Sequence, residues 1–163
     1  LDSVVADVPA PIMLEGTVVH EVAHQWFYNV VGNDQIDEPW LDEALAQYLT
    51  GLYYREVYGE QAEQDYRRSW SSRWDRIVGE PIPIGLPTSG YAPEEYSPIV
   101  YGRGPLFMAA LEDLMGREEF AEFLRDYYRA NAWGIATGES FRALAEQHCE
   151  CDLGEMFGLW VDG

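Results

Sequence analysis

His20-Glu21-Val22-Ala23-His24 constrains this chain more than any other stretch. On a helix, residues four apart lie on one face. The two imidazoles then converge on a single point and can share a tetrahedral Zn²⁺. Glu21, beside the first of them, can reach a water on that metal and act as general base. The surrounding pattern supports the helix. Val18, Val19, Val22, Ala23, Trp26, Phe27 and Val30 recur at three- and four-residue spacing from Leu14 to Val31, and Gly32-Asn33-Asp34 stops the run.

A catalytic zinc takes three protein ligands and leaves one position open. A third histidine six residues after His24, with glycine three residues after it, would complete one such set; Phe27 and Val30 stand there instead. A carboxylate from the next helix completes another. Glu43, in Trp40-Leu41-Asp42-Glu43-Ala44, lies eighteen intervening residues beyond His24, which suits an antiparallel helical hairpin. Gln47, one turn past Glu43, is placed to steady a ligand.

The other elements also read as helices. Pro39 opens a second helix running to about Tyr58, with Leu41, Ala44, Leu45, Tyr48, Leu49, Leu52 and Tyr53 as its apolar stripe. A third spans about 60–78, where Ala62, Tyr66, Trp70, Trp74 and Ile77 line one side and Arg67, Arg68, Arg73 and Arg76 read as solvated. Residues 79–98 are rich in Pro and Gly and read as a long functional or mobile loop. Helices follow from Ile99 or Gly104 to Met115, over about 117–130, from Gly138, and over about 153–161. The expected fold is mainly α, about six to seven helices with little or no sheet. It forms a single domain over 1–163, divided into an extended lead-in (1–14), zinc helices (15–58), an aromatic helix (60–78), the Pro/Gly loop (79–98) and C-terminal helices (99–163).

Composition removes several classes. The chain carries 29 acidic and 10 basic residues for a net charge of −19, which disfavours nucleic acid and anionic membrane surfaces as partners. All ten basic residues are Arg; without Lys there is neither Schiff-base chemistry nor a phosphate-loop lysine. No apolar run is long enough to span a membrane. Cys149 and Cys151 are poorly separated for an ordinary disulfide, and with His148 they form a weak H-C-x-C candidate that lacks a second ligand pair. His148 itself reads as a surface residue, and Trp26 and Phe27 as core. Localisation is left open.

"VVHEVAHQWFYN" and "WLDEALAQYL", whose Glu43 lies eighteen intervening residues past His24, resemble the aminopeptidase N family of gluzincin zinc metallopeptidases. Asp42 stands where Asn is commoner in that family. "YSPIVYGRGPLFMAALEDLMG" is similar to the family's Tyr-x-Lys/Arg-Gly segment, which places the tyrosine that stabilises the tetrahedral intermediate on Tyr101. Tyr96 and Arg103 are weaker substrate-binding candidates. The likeness extends from Thr17 to Gly163 and implies the helical part of a thermolysin-like catalytic domain. It implies one Zn²⁺ per chain on His20, His24 and Glu43, with Glu21 and Tyr101 catalytic, and removal of N-terminal residues from peptides in a larger parent chain.

The family's upstream Gly-x-Met-Glu-Asn segment, which grips the substrate amine, has no counterpart here. The chain opens at Leu1, and it is expected to be a piece of a longer protein whose exposed apolar face could pair copies. The readings left beside this one are another zinc hydrolase on the same scaffold, such as an endopeptidase or epoxide hydrolase, and a binding module that kept the metal.

Overall fold

The computed structural model describes residues 10–163, with side chains from Leu14 onward. Positions 1–9 of the expected lead-in lie outside the described residues. The remainder is already helical: α1 runs Ala10–Ala23, with Pro11 in the first turn, where its missing N–H breaks no helical bond.

α1 stops earlier than its apolar pattern. The helix tightens, with the N–H groups of Gln25 and Trp26 donating to Val22 and Ala23, and the chain then turns at Tyr28, whose φ is 124°. Phe27 pairs with Val31 and packs inward, whereas Trp26 is half exposed instead of belonging to the core. Asp34 forms the turn into the next helix by accepting from the N–H groups of Ile36 and Asp37.

α2 (Trp40–Tyr58) is the central element. α1, α3 (Glu60–Trp74) and α5 (Gly104–Met115) pack around it. Trp40, Leu41, Ala44, Leu45 and Tyr48 are all essentially inaccessible. Aromatic edges interlock across the core, with Trp40 against Phe107 and Phe141 at 5.8 and 5.6 Å and Tyr48 against Phe120 at 5.3 Å. Toward solvent, α1 presents Leu14, Val18 and Val22, an exposed apolar row one turn apart.

The long Pro/Gly segment, expected to be a functional or mobile loop, makes specific backbone contacts. After α3 it is tied to the chain's end: the N–H groups of Ile84 and Gly85 donate to Trp160 and Val161, and the Tyr91 hydroxyl donates to Ile84. It re-enters helix at α4 (Tyr96–Pro98), passes through a π-turn at Ile99–Arg103, where Gly104 N–H reaches back to Ile99, and continues as α5. α6 (Arg117–Asn131), α7 (Gly138–Cys149) and α8 (Gly154–Phe157) follow, the last extended by a second π-turn over Gly158–Asp162. The sheet is one short parallel pair, β1 (Val31–Gly32) with β2 (Gly134–Ile135), so the mainly α reading holds. No described helix is long and apolar enough to cross a membrane.

Two expectations are corrected at the C-terminal end. Cys149 and Cys151 form a disulfide despite their spacing, with Cα atoms 5.1 Å apart, because Glu150 between them adopts a left-handed φ of 50°. Their sulfurs are therefore not free for a metal. His148 is not a plain surface residue either; its Nδ1 lies 2.6 Å from Glu119, joining α7 to α6.

Candidate metal centre

α1 and α2 cross so that His20, His24 and Glu43 face one another. His24 sits just past the end of α1 and keeps its helical bond to the His20 carbonyl at 3.3 Å. It thus stays one turn above His20, and the rings meet edge to face with centroids 4.7 Å apart. Glu43 enters from the first turn of α2.

The three donor atoms form a nearly equilateral triangle. His20 Nε2 is 3.1 Å from His24 Nε2 and 3.1 Å from Glu43 Oε2, and His24 Nε2 is 3.4 Å from Glu43 Oε2. Ligands about 2.0–2.1 Å from a tetrahedral zinc stand about 3.3–3.4 Å apart. Two imidazoles and a carboxylate are also the donor set that zinc accepts. Chemistry and geometry therefore both fit the ion, and among the described residues this is the cluster that could hold one.

The electrostatics express the same crowding. Burial works against a charged His24, yet hydrogen bonds to Glu43 and Phe27 and the nearby carboxylates push it up to about 9. Burial likewise opposes ionisation of Glu43, but His20, His24 and Tyr101 bring it down to about 2. The site strongly favours positive charge beside the Glu43 carboxylate.

Support continues behind the donors. His24 Nδ1 donates to the Phe27 carbonyl at 3.0 Å. Asp42 Oδ2 lies 3.8 Å behind the same ring and accepts from Gln35 and, through its other oxygen, from Asn33. Burial foremost raises the Asp42 carboxyl above its usual range, with these amide donors opposing. Asp42 was legible only as an unusual residue beside Glu43; its partners come from the turn at 33–35.

Glu21 is exposed and lines the cleft of about 530 Å³ that opens over the triangle. Tyr101 closes the opposite wall, its ring 5.9 Å from that of His20. Burial, with the Glu43 charge next to it, raises the Tyr101 hydroxyl far above the ordinary phenol range, so it remains a donor at neutral pH. The π-turn carries it there.

The remaining candidates separate. Tyr96 packs against Tyr101 at 6.1 Å but does not line the cleft. Arg103 turns away entirely: it is buried, donates to the carbonyls of Ile82, Leu159 and Trp160, and lies over the Trp160 ring at 5.1 Å. Gln47 lines the cleft but accepts from the Tyr66 hydroxyl at 2.7 Å instead of holding a ligand.

Of the arginines expected to be solvated, Arg68 is exposed. Arg67 bridges Glu63 and Glu112, and Arg73 lines the cleft and donates to the Tyr101 carbonyl. Arg73 shares α3's inward side with Tyr66 and Trp70, a spacing visible in the sequence but outweighed there by its charge.

Comparison with known proteins agrees with this geometry. Aminopeptidase RNPEPL1 of Mus musculus is 30% identical over 162 residues, covering 89% of this chain and 22% of its own length. Tricorn protease-interacting factor F2 of Thermoplasma volcanium is 23% identical over 159 residues, covering 89% of this chain and 19% of itself. The crystal structure of M1 zinc metallopeptidase from Deinococcus radiodurans superposes with a TM-score of 0.75 at 26% identity, over 96% of this chain and 34% of that one. The chain thus spans about a fifth of the length of these curated relatives. The model of the peptidase family M1 domain matches residues 10–160, and the chain belongs to that family.

Proposed function

We propose that this chain carries the zinc-dependent peptidase centre of a larger protein, which removes N-terminal residues from peptides. The observation that carries the reading is the donor triangle of His20, His24 and Glu43 opening into the cleft that Glu21 and Tyr101 line. The aminopeptidase names of similar proteins support the exopeptidase part.

His20, His24 and Glu43 would hold one Zn²⁺, which supplies Lewis-acid polarisation and a nucleophile at neutral pH. Glu21 accepts the proton released as water attacks the peptide carbonyl and delivers it to the departing nitrogen. The Tyr101 hydroxyl, kept protonated, donates to the oxygen on which charge develops. Phe27 and Asp42 hold the His24 ring so that Nε2 points inward.

The test is zinc content per chain together with hydrolysis of an alanyl anilide and of an internally quenched peptide. One zinc per wild-type chain, lost in His24→Ala, is expected. Glu21→Gln should keep the zinc and lose anilide hydrolysis by about 10²–10⁴-fold. Hydrolysis of the quenched peptide alone would replace the aminopeptidase reading with an endopeptidase one. Absence of zinc after reconstitution would overturn the metal centre.

A further inference from the structure

Three described residues other than glycine have positive φ: Tyr28 at 124°, Trp133 at 64° and Glu150 at 50°. The last two sit near the left-handed helical well, centred at about +57°. Tyr28 lies well beyond it, in a region that only glycine occupies without strain. Of the three, Tyr28 is also the residue that lines the metal cleft.

The surrounding bonds hold it there. Its N–H donates to the Val31 carbonyl at 2.9 Å, Asn29 N–H to His24 at 3.0 Å, and Val31 N–H to Trp26 at 2.9 Å. Glycine would satisfy every one of these backbone bonds and relieve the strain. The turn therefore needs the backbone shape, whereas the phenol ring serves something else. The residue is 40% exposed, so core packing does not account for its ring. Among the described residues its hydroxyl has no hydrogen-bond partner.

The cleft follows α1. Thr17, His20, Glu21, His24 and Gln25 line it in succession, and Tyr28 comes one turn beyond His24. Arg73 and Tyr66 line the cleft from α3, and Tyr66 lies against Gly16, twelve residues before Tyr28. An extended peptide whose reacting carbonyl sits at the donor triangle would place a neighbouring residue against Tyr28. The cleft-lining groups nearest to it along the chain, Gln25 and Asn29, are uncharged.

We propose that Tyr28 is a specificity-determining residue whose ring receives the substrate side chain next to the scissile bond and favours an aromatic or broad apolar one. This rests on the peptidase reading above. The strain is retained because the side chain contacts substrate, which is the relation expected when an outlier persists at a working site.

The test uses the zinc-loaded full-length protein with two peptide series, Phe against Ala before the scissile bond and Phe against Ala after it. Tyr28→Gly should raise Tm by about 2–4 °C. It should also lower the Phe-over-Ala preference at one of the two positions by about 3–10-fold, through KM with kcat nearly unchanged. Tyr28→Phe should retain the preference. Equilibrium binding of the same peptides should show the same loss, without turnover, when Tyr28→Gly is combined with Glu21→Gln.

A Tyr28→Gly protein with lower Tm, or with its preference intact at both positions, overturns the proposal while leaving the peptidase reading in place. Wild-type protein that binds zinc but neither binds nor cleaves any of the peptides overturns both.

Discussion

His24 donates its Nδ1 proton to the carbonyl of Phe27, three residues further along the chain, at 3.0 Å. A carbonyl only accepts, so the bond fixes the tautomer of the neutral ring and leaves Nε2, which faces His20 and Glu43, as the free lone pair. Phe27 is in turn anchored by burial and by stacking on Tyr127 at 6.1 Å.

Phe27→Ala should therefore weaken zinc binding by about 10–100-fold although Phe27 does not touch the metal. Competition with a chelator of known affinity measures this. Phe27→Leu, which refills much of the space, should recover most of the affinity. Equal affinities in all three proteins would show that the carbonyl does not depend on its side chain's anchorage.

Tyr101→Phe removes one hydroxyl from a wall of the cleft. If the proposed oxyanion donor is lost in this way, kcat falls by about 10²–10³-fold. KM and zinc content should change little. Steady-state kinetics beside metal analysis checks this, and a rise in KM alone would make Tyr101 a binding residue.

Glu112 tests the packing of α2, α3 and α5. Its carboxylate, 6% exposed, accepts from Arg67 at 2.7 Å and lies 3.4 Å from Arg55, and Arg67 also holds Glu63. Burial opposes its charge, but Arg67 outweighs this and holds the carboxyl below its ordinary value. A lowered folded value means that the stabilisation is present above the ordinary glutamate range and is lost as pH falls through the folded value. Glu112→Gln should cost about 3 kcal/mol at pH 7. The difference from wild type should shrink on acidification, as urea titrations across pH 3–7 would show.

Gly102 lies beside Tyr101 where the π-turn meets α3. A Cβ there would stand 2.9 Å from the Trp70 carbonyl oxygen and 3.0 Å from the Trp74 nitrogen, both backbone atoms that cannot swing aside. Gly102→Ala should cost about 1–3 kcal/mol. It should lower kcat with zinc content intact, because the displaced segment carries Tyr101. Unchanged kcat would separate the packing of Gly102 from the placement of its neighbour.

The meeting of His20, His24 and Glu43 was readable because helical periodicity alone turns residues 20 and 24 to one side, and a hairpin of ordinary length brings in Glu43. The extents of most helices followed from their apolar spacing. The end of α1 did not: Trp26, Phe27 and Val30 continue the pattern, but backbone bonds around Tyr28 break it, and such bonds leave no periodic trace. Arg103 looked like a cleft residue because it follows Tyr101 so closely, yet the π-turn sends the two in different directions. Pairing of Cys149 with Cys151 depended on a left-handed residue between them, which composition does not announce.

The π-turn at Ile99–Arg103 also bears on how this stretch can change over time. A π-turn is a helix that has accommodated one extra residue. Removing one neighbour of Tyr101 from it would restore regular winding with the flanking segments in register, but would turn Tyr101 itself by about half of the 100° helical step. Tyr101 would leave the cleft without being substituted. A one-codon deletion would thus displace Tyr101 while leaving His20, His24 and Glu43 as they are.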